Sequence, residues 1–116
     1  MSPADLTINA GDLRVPLTIQ RATRATDATY GESQLTWADW KIRWWSEVRP
    51  LQGRELERAR AVAATVSHLV ITRHCTGLRP DDRLVLPGGR VLNVDAVINV
   101  MERGVKHVLY CTEVLS

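Results

Sequence analysis

Ile42–Arg73, IRWWSEVRPLQGRELERARAVAATVSHLVITR, decides the fold. It reads as strand, turn, helix, strand. Ile42 to Val48 carries Trp and Val, side chains that suit a pleated, half-buried surface. Pro50 and Gly53 then punctuate the chain. The segment that follows is rich in Ala, Leu, Glu and Arg and free of Gly and Pro, which predicts a short helix over about residues 54–65. Leu56, Ala59 and Ala63 share one face of it, and Glu55 and Glu57 lie in the first turn, where carboxylates favour the positive helix end. His68 to Arg73 (HLVITR) returns as a β-branched strand.

Outward from this stretch, everything reads as strand and turn. Residues 1–10 are expected to be a flexible arm. Leu13 to Gln20 alternates apolar and polar residues, and Pro16, lacking an N–H, belongs at an edge or a bulge. Residues 21–34 (RATRATDATYGESQ) are polar and are expected to form a long hairpin loop, followed by a short strand over Leu35 to Asp39. Past the helix, Val66 to Cys75 is the strongest strand. Gly77 to Asp82 is a turn, Arg83 to Leu86 a short strand, and Pro87-Gly88-Gly89-Arg90 a tight hairpin. Val91 to Val100 breaks its alternation near Asp95-Ala96, as a bulge would, and Val105 to Val114 is the last strand. Short strands at close spacing predict a mainly β chain, a small antiparallel barrel or sandwich, with the helix covering an open end or an edge.

The 116 residues suffice for a single domain over 1–116 with a modest core. Fifteen basic against 13 acidic residues leave a formal charge of +2, far from the excess that a dedicated duplex-DNA binder carries. Phe is absent, and the four Trp (Trp37, Trp40, Trp44, Trp45) cluster within nine residues. Since Trp44 and Trp45 must face opposite ways on a strand, at least one Trp points away from the core and is available as an interface anchor. Lys41 and Arg43 flank the cluster, so a single-stranded nucleic-acid-binding barrel is an alternative. The first residues lack the basic start and apolar run of a signal peptide, and no apolar run has membrane-span length, so folding in a cytoplasm is expected.

No catalytic constellation emerges. His68, His74 and His107 fall in no recognisable motif, and Gly88-Gly89 is a hairpin signal without the following helix of a phosphate loop. His74 and Cys75 would point to opposite faces of a strand, which makes a metal site with His107 and Cys111 unfavourable. Cys75 and Cys111, both placed in strands, read as small buried side chains. The expectation is no catalysis, no metal and no cofactor.

Six segments, in order, resemble the bacteriophage head–tail joining family of long-tailed phages and gene transfer agents, the small connector or stopper proteins. They are AGDLRVPLTIQR (Ala10–Arg21), the loop with Asp27 and Gly31 followed by Trp37, WWSEVRPLQGRE (Trp44–Glu55), HLVITRHCTGLRPDDRL (His68–Leu84), GGRVLNVDAVINVMER (Gly88–Arg103) and LYCTEV (Leu109–Val114). Trp45 and Pro16 depart from the family pattern. The resemblance implies a small barrel with one helix, in a ring with itself, commonly dodecameric, at the head–tail interface of the virion after assembly in the host cytoplasm. The ring would sit below the portal or adaptor ring and above the tail-terminator ring. Packaged DNA would pass through its channel without sequence-specific binding, and no membrane would be involved. A tail-terminator-like ring is the second reading. On this resemblance the ring interface is expected at Arg54, Glu55 and Arg58, at Trp45, and at Arg79, Asp81, Asp82 and Arg83. The contact loop is expected around Asp27, Tyr30, Gly31 and Glu32.

Overall fold

The computed structural model describes residues 8–26 and 33–114. Six strands and one helix follow in the order β1 (Val15–Thr26), β2 (Ser33–Pro50), α1 (Gly53–Val62), β3 (His68–Arg73), β4 (Arg83–Val85), β5 (Val91–Asn99) and β6 (Lys106–Val114). The strands close into an antiparallel barrel in the circuit β1-β2-β3-β6-β5-β4. Closure gives every strand two neighbours, so no edge of the barrel itself is left to pair with a stranger.

Two strands outrun the barrel. β4 pairs with β1 only over Thr18–Gln20, and β3 pairs with β2 only over Ser46–Pro50. Beyond those contacts β1 and β2 pair only with each other, out to Thr26 and Ser33. They form a two-stranded arm, and the molecule is 53 Å long against 30 and 27 Å across. The expected loop over residues 21–34 is corrected accordingly: residues 21–26 are strand, and the separate strand expected at Leu35–Asp39 is one continuous run with Trp40–Val48. A polar sequence is compatible with a ribbon that water reaches on both faces, and Thr23 and Thr36 hold it as β-branched cross-strand partners.

The arm stays joined to the barrel through two irregularities in β2. Between the pairs Leu17↔Trp44 and Ile19↔Lys41, β1 has one residue where β2 has two, Ile42 and Arg43. Arg43 takes a left-handed backbone (φ 52°) at this bulge. A second extra residue, Trp40, lies between Ile19↔Lys41 and Gln20↔Asp39, and its ring packs against the barrel core. Pro16 and Trp45, the two departures from the family pattern, are cross-strand partners beside the first bulge. The bulge expected in β5 is present between Val94 and Ala96.

The interior core is aliphatic, built on Leu17, Ile19, Val70, Leu84, Leu92 and Leu109. A second core lies outside the barrel. Leu69 and Ile71 of β3 and Val108 of β6 point outward, and Ala59 of α1, Leu51, Val66 and Val100 bury them. β3 is therefore buried on both faces except at Arg73. The helix covers this outer sheet face, where an open end or an edge was expected. Its contact side is the one read from the sequence, Ala59 flanked by Leu56 and Ala63. Both cysteines are free and buried, but Cys75 lies in the loop after β3, not in a strand. The chain leaves the sheet once the His74 amide has bonded to the Val105 carbonyl.

The seam between β1 and β4 is three residues long, and an ion pair extends it. Arg21 Nε and Nη2 reach the two carboxylate oxygens of Asp82 at 3.1 and 3.0 Å. Asp82 also accepts from the Arg79 amide at 2.9 Å, and Arg83 Nε bonds Gln20 Oε1 at 2.7 Å. The Arg21 guanidinium lies 4.0 Å from the Trp40 ring centre and donates to the Gly77 carbonyl. Gly77 has φ 89°, and a Cβ there would stand 3.4 Å from the Trp40 ring. Replacing Asp82 by Ala strands the Arg21 charge and an amide, a loss of about 3 kcal/mol. Thermal unfolding should show a midpoint lowered by roughly 10 °C or more, while Asp81→Ala, on the exposed neighbour, stays within about 0.5 kcal/mol of wild type.

Candidate interaction surfaces

The polar clusters of the described residues act as latches. At one end of the barrel, Ser67 Oγ lies 2.8 Å from His68 Nδ1. Arg90 holds Glu113 through two bonds of 3.0 and 3.1 Å. Ser, His and Glu are the residue types of a hydrolytic triad, but the geometry is different. Glu113 is 3.7 Å from His68 Nε2, beyond hydrogen-bond reach, and Arg90 Nη2 sits closer to that nitrogen, at 3.3 Å. Ser67 Oγ meanwhile accepts from the Glu113 amide at 3.0 Å. The cluster ties β3, β6 and the start of β5 together.

At the opposite end, β3 and β6 are neighbours and the rings of His74 and His107 lie 4.6 Å apart. The Cys75 amide donates to His107 Nδ1 at 3.3 Å. Among the described residues no group of three His, Cys, Asp or Glu side chains is placed to hold a metal ion. Burial lowers the pKa of both His68 and His107 from the ordinary 6.5, with His74 adding to the effect on His107. The unfolded chain then takes up these protons first, so stability is full above about pH 7 and falls as pH drops through 6.5. His107→Asn keeps an acceptor near Nδ1 without a titrating group. Its thermal midpoint should fall less than wild type between pH 7.5 and pH 5.5; equal slopes would remove His107 from the account.

The expected contact residues fall into three groups. Arg54 and Arg58 are exposed on α1, with no ion pair among the described residues, whereas Glu55 is engaged within the subunit by Arg49 at 2.9 Å. Trp45 is the outward tryptophan, 53% exposed, while Trp44 turns in and donates its ring N–H to Thr72. Arg79 and Asp81 are exposed. Arg83 is half-buried, 4.2 Å from the Trp37 ring centre. Asp82, expected at the surface with them, is instead 2% exposed and committed to Arg21. Asp27, Tyr30, Gly31 and Glu32 lie outside the described residues. The tryptophans do not form a shared stacking platform, since Trp37 and Trp40 each carry an arginine on the ring and Trp44, partly buried, packs against the core.

Sequence reading missed a second set of surface residues. Ile42 is 67% exposed beside Arg43, and Met101 63% exposed in the turn after β5. Neither had a local signal, because their exposure follows from a bulge and a left-handed turn.

The described residues define a small closed β-barrel protein with a projecting ribbon, internally latched polar groups and apolar side chains exposed on its outside. Comparison with known families supplies the role: the chain belongs to the phage head completion protein family, which matches residues 8–114. That membership gives it a structural role in the phage head, in a family of virion proteins and not of enzymes. Among solved structures it is similar to the solution structure of protein SF1141 from Shigella flexneri 2a, a structural genomics target. The two are 28% identical over 91% of this chain and 96% of that one, with a TM-score of 0.72. None of the curated proteins searched matches the chain.

Proposed function

We propose that this protein forms a ring in the head–tail connector, below the portal or adaptor ring, where it retains packaged DNA and offers the tail its docking surface. The observation that carries the reading is the head completion family match over residues 8–114, together with the ordered segments that resemble head–tail joining proteins. The shape supports it. A compact barrel can pack side by side with copies of itself while a slender arm reaches along or into a channel. The near-balanced charge supports passage of DNA, since a strongly basic lumen would grip its phosphates. On this reading the arm, together with the expected contact residues Asp27, Tyr30, Gly31 and Glu32, is the channel or contact element. Arg54 and Arg58 of α1, with Arg79 and Asp81, face neighbouring rings.

Electron microscopy of particles assembled without the protein tests the placement. Tail-less heads that have lost DNA, beside free tails, are the expected outcome. Full heads lacking only tails would move the protein to the tail side, as a terminator-like ring, and normal tailed particles would overturn the reading. For the helix, Arg58→Glu should lower incorporation into particles while leaving the thermal midpoint within about 2 °C, as expected at an exposed site. Normal incorporation would remove α1 from the interface.

A further inference from the structure

At one corner of the barrel β2 and β3 separate, and the corner is open. Their pairing ends at Ser46↔Thr72, and beyond it β2 pairs only with β1. Arg43, Trp44, Trp45 and Arg73 line the recess left there, about 230 Å³ in volume. Small-molecule sites are larger, roughly 300–1,000 Å³, so the recess suits one side chain and not a metabolite. Its floor is fixed, because the Trp44 ring N–H is bonded to Thr72.

The rim is apolar and positively charged. The β2 bulge breaks the alternation of the strand and leaves Ile42, 67% exposed, next to an exposed Arg43. Trp45 is 53% exposed. On the far side of Arg73 stands Val105, 46% exposed, whose carbonyl accepts the His74 amide. Among the described residues neither Arg43 nor Arg73 has a carboxylate within ion-pair distance, and Glu47, the acid two residues along from Trp45, is no exception. Trp and Arg around an apolar centre are the residue types that carry most of the energy of protein contacts. A phosphate backbone would use the two arginines but leave Ile42, Trp45 and Val105 in water, so a protein carrying carboxylates beside an apolar group is the better complement.

This chain does not itself present that complement on another face. Among the described residues two acids adjoin a large exposed apolar side chain, Glu113 beside Val114 and Glu102 beside Met101. Glu113 is held by Arg90. Glu102 belongs to the turn that packs through Val100 on the outer face of β3 and β6, on the same side as the recess. Two copies could meet there only face to face, a contact that ends at a dimer.

We propose that the recess is the docking site for an extended segment of a different virion protein. One apolar side chain of that segment fills the recess against Trp44 and Trp45, and a carboxylate on either side of it meets Arg43 and Arg73. This adds a partner surface to the role in the head and does not depend on the ring.

Particles assembled with the photo-crosslinker p-benzoylphenylalanine in place of Trp45 test it. On irradiation the label should attach to another virion protein, at a segment with Asp or Glu within about two residues of the point of attachment. Attachment to nucleic acid, to a second copy of this chain or to a segment without acids would overturn the proposal, as would no product from particles that contain the labelled protein. Charge reversal is an independent measurement. Arg43→Glu combined with Arg73→Glu should lower the yield of tailed particles about tenfold, with the thermal midpoint within about 2 °C of wild type, as at exposed sites. Replacing the acids of the cross-linked segment by Arg should restore the yield to within about twofold. A normal yield from the doubly reversed protein, or no rescue, would overturn the docking site.

Discussion

The structure depends on the pair between Arg21 and Asp82. A six-stranded barrel closes only if its first and last strands in the circuit meet, and here they meet over three residues, Thr18–Gln20 against Arg83–Val85. So short a ladder is weak by itself. Arg21 directly follows the paired residues of β1 and Asp82 directly precedes those of β4, so the ion pair continues the seam where the backbone ladder stops. The carboxylate is nearly inaccessible and fully bonded, the condition under which a buried charge is held and not merely penalised. The same guanidinium covers Trp40 and reaches the Gly77 carbonyl. One arginine thereby joins the seam, the base of the arm and the loop between β3 and β4.

The wall opposite that seam has a different problem. β3 and β6 carry apolar side chains on both faces, since one face fills the barrel and the other would meet water. Leu51, the helix and Val66 cover the outer face. α1 is ten residues long, and Gln52 at its start makes no side-chain cap. A helix this short is marginal in isolation, so burial of Ala59 and its flanking residues must hold it. Gly53 enters the helix at φ 59°, the conformation that lets the chain turn from β2 back across the sheet. The helix is thus a consequence of the doubly apolar strands, which is why the one strand–turn–helix–strand stretch determines so much of the architecture.

That dependence also sets what could be read from the chain. The helix face, the Pro87–Arg90 hairpin, the β5 bulge and an outward tryptophan at Trp44-Trp45 each follow from local pattern, and each is present. The arm was hidden, because a ribbon wetted on both faces has the composition of a loop. The Arg21–Asp82 latch was hidden too, for its members are 61 residues apart and nothing near either announces the other. Asp82 looked like turn chemistry beside Asp81, yet one of the pair is buried and the other exposed, a difference only the closed barrel decides. Arg43 and Met101 gave no sign of a left-handed backbone, because ordinarily Gly, Asn or Asp marks it.

Closure leaves a further consequence for assembly. A barrel without edges cannot recruit neighbours by adding strands to itself, so its outer wall must bind through side chains. On the described surface three of the large exposed apolar groups sit where the regular ladder is interrupted, Ile42 and Trp45 at the first β2 bulge and Met101 at the turn out of β5, while others, such as Val62 at the end of α1 and Ile98 within β5, do not. A regular strand buries alternate residues by its pleat. An extra residue, or a left-handed turn, breaks that alternation and turns an apolar side chain outward at a fixed angle. These departures from regular β-structure are where the fold turns apolar side chains toward solvent, and Arg21, by keeping the barrel closed, holds them in position.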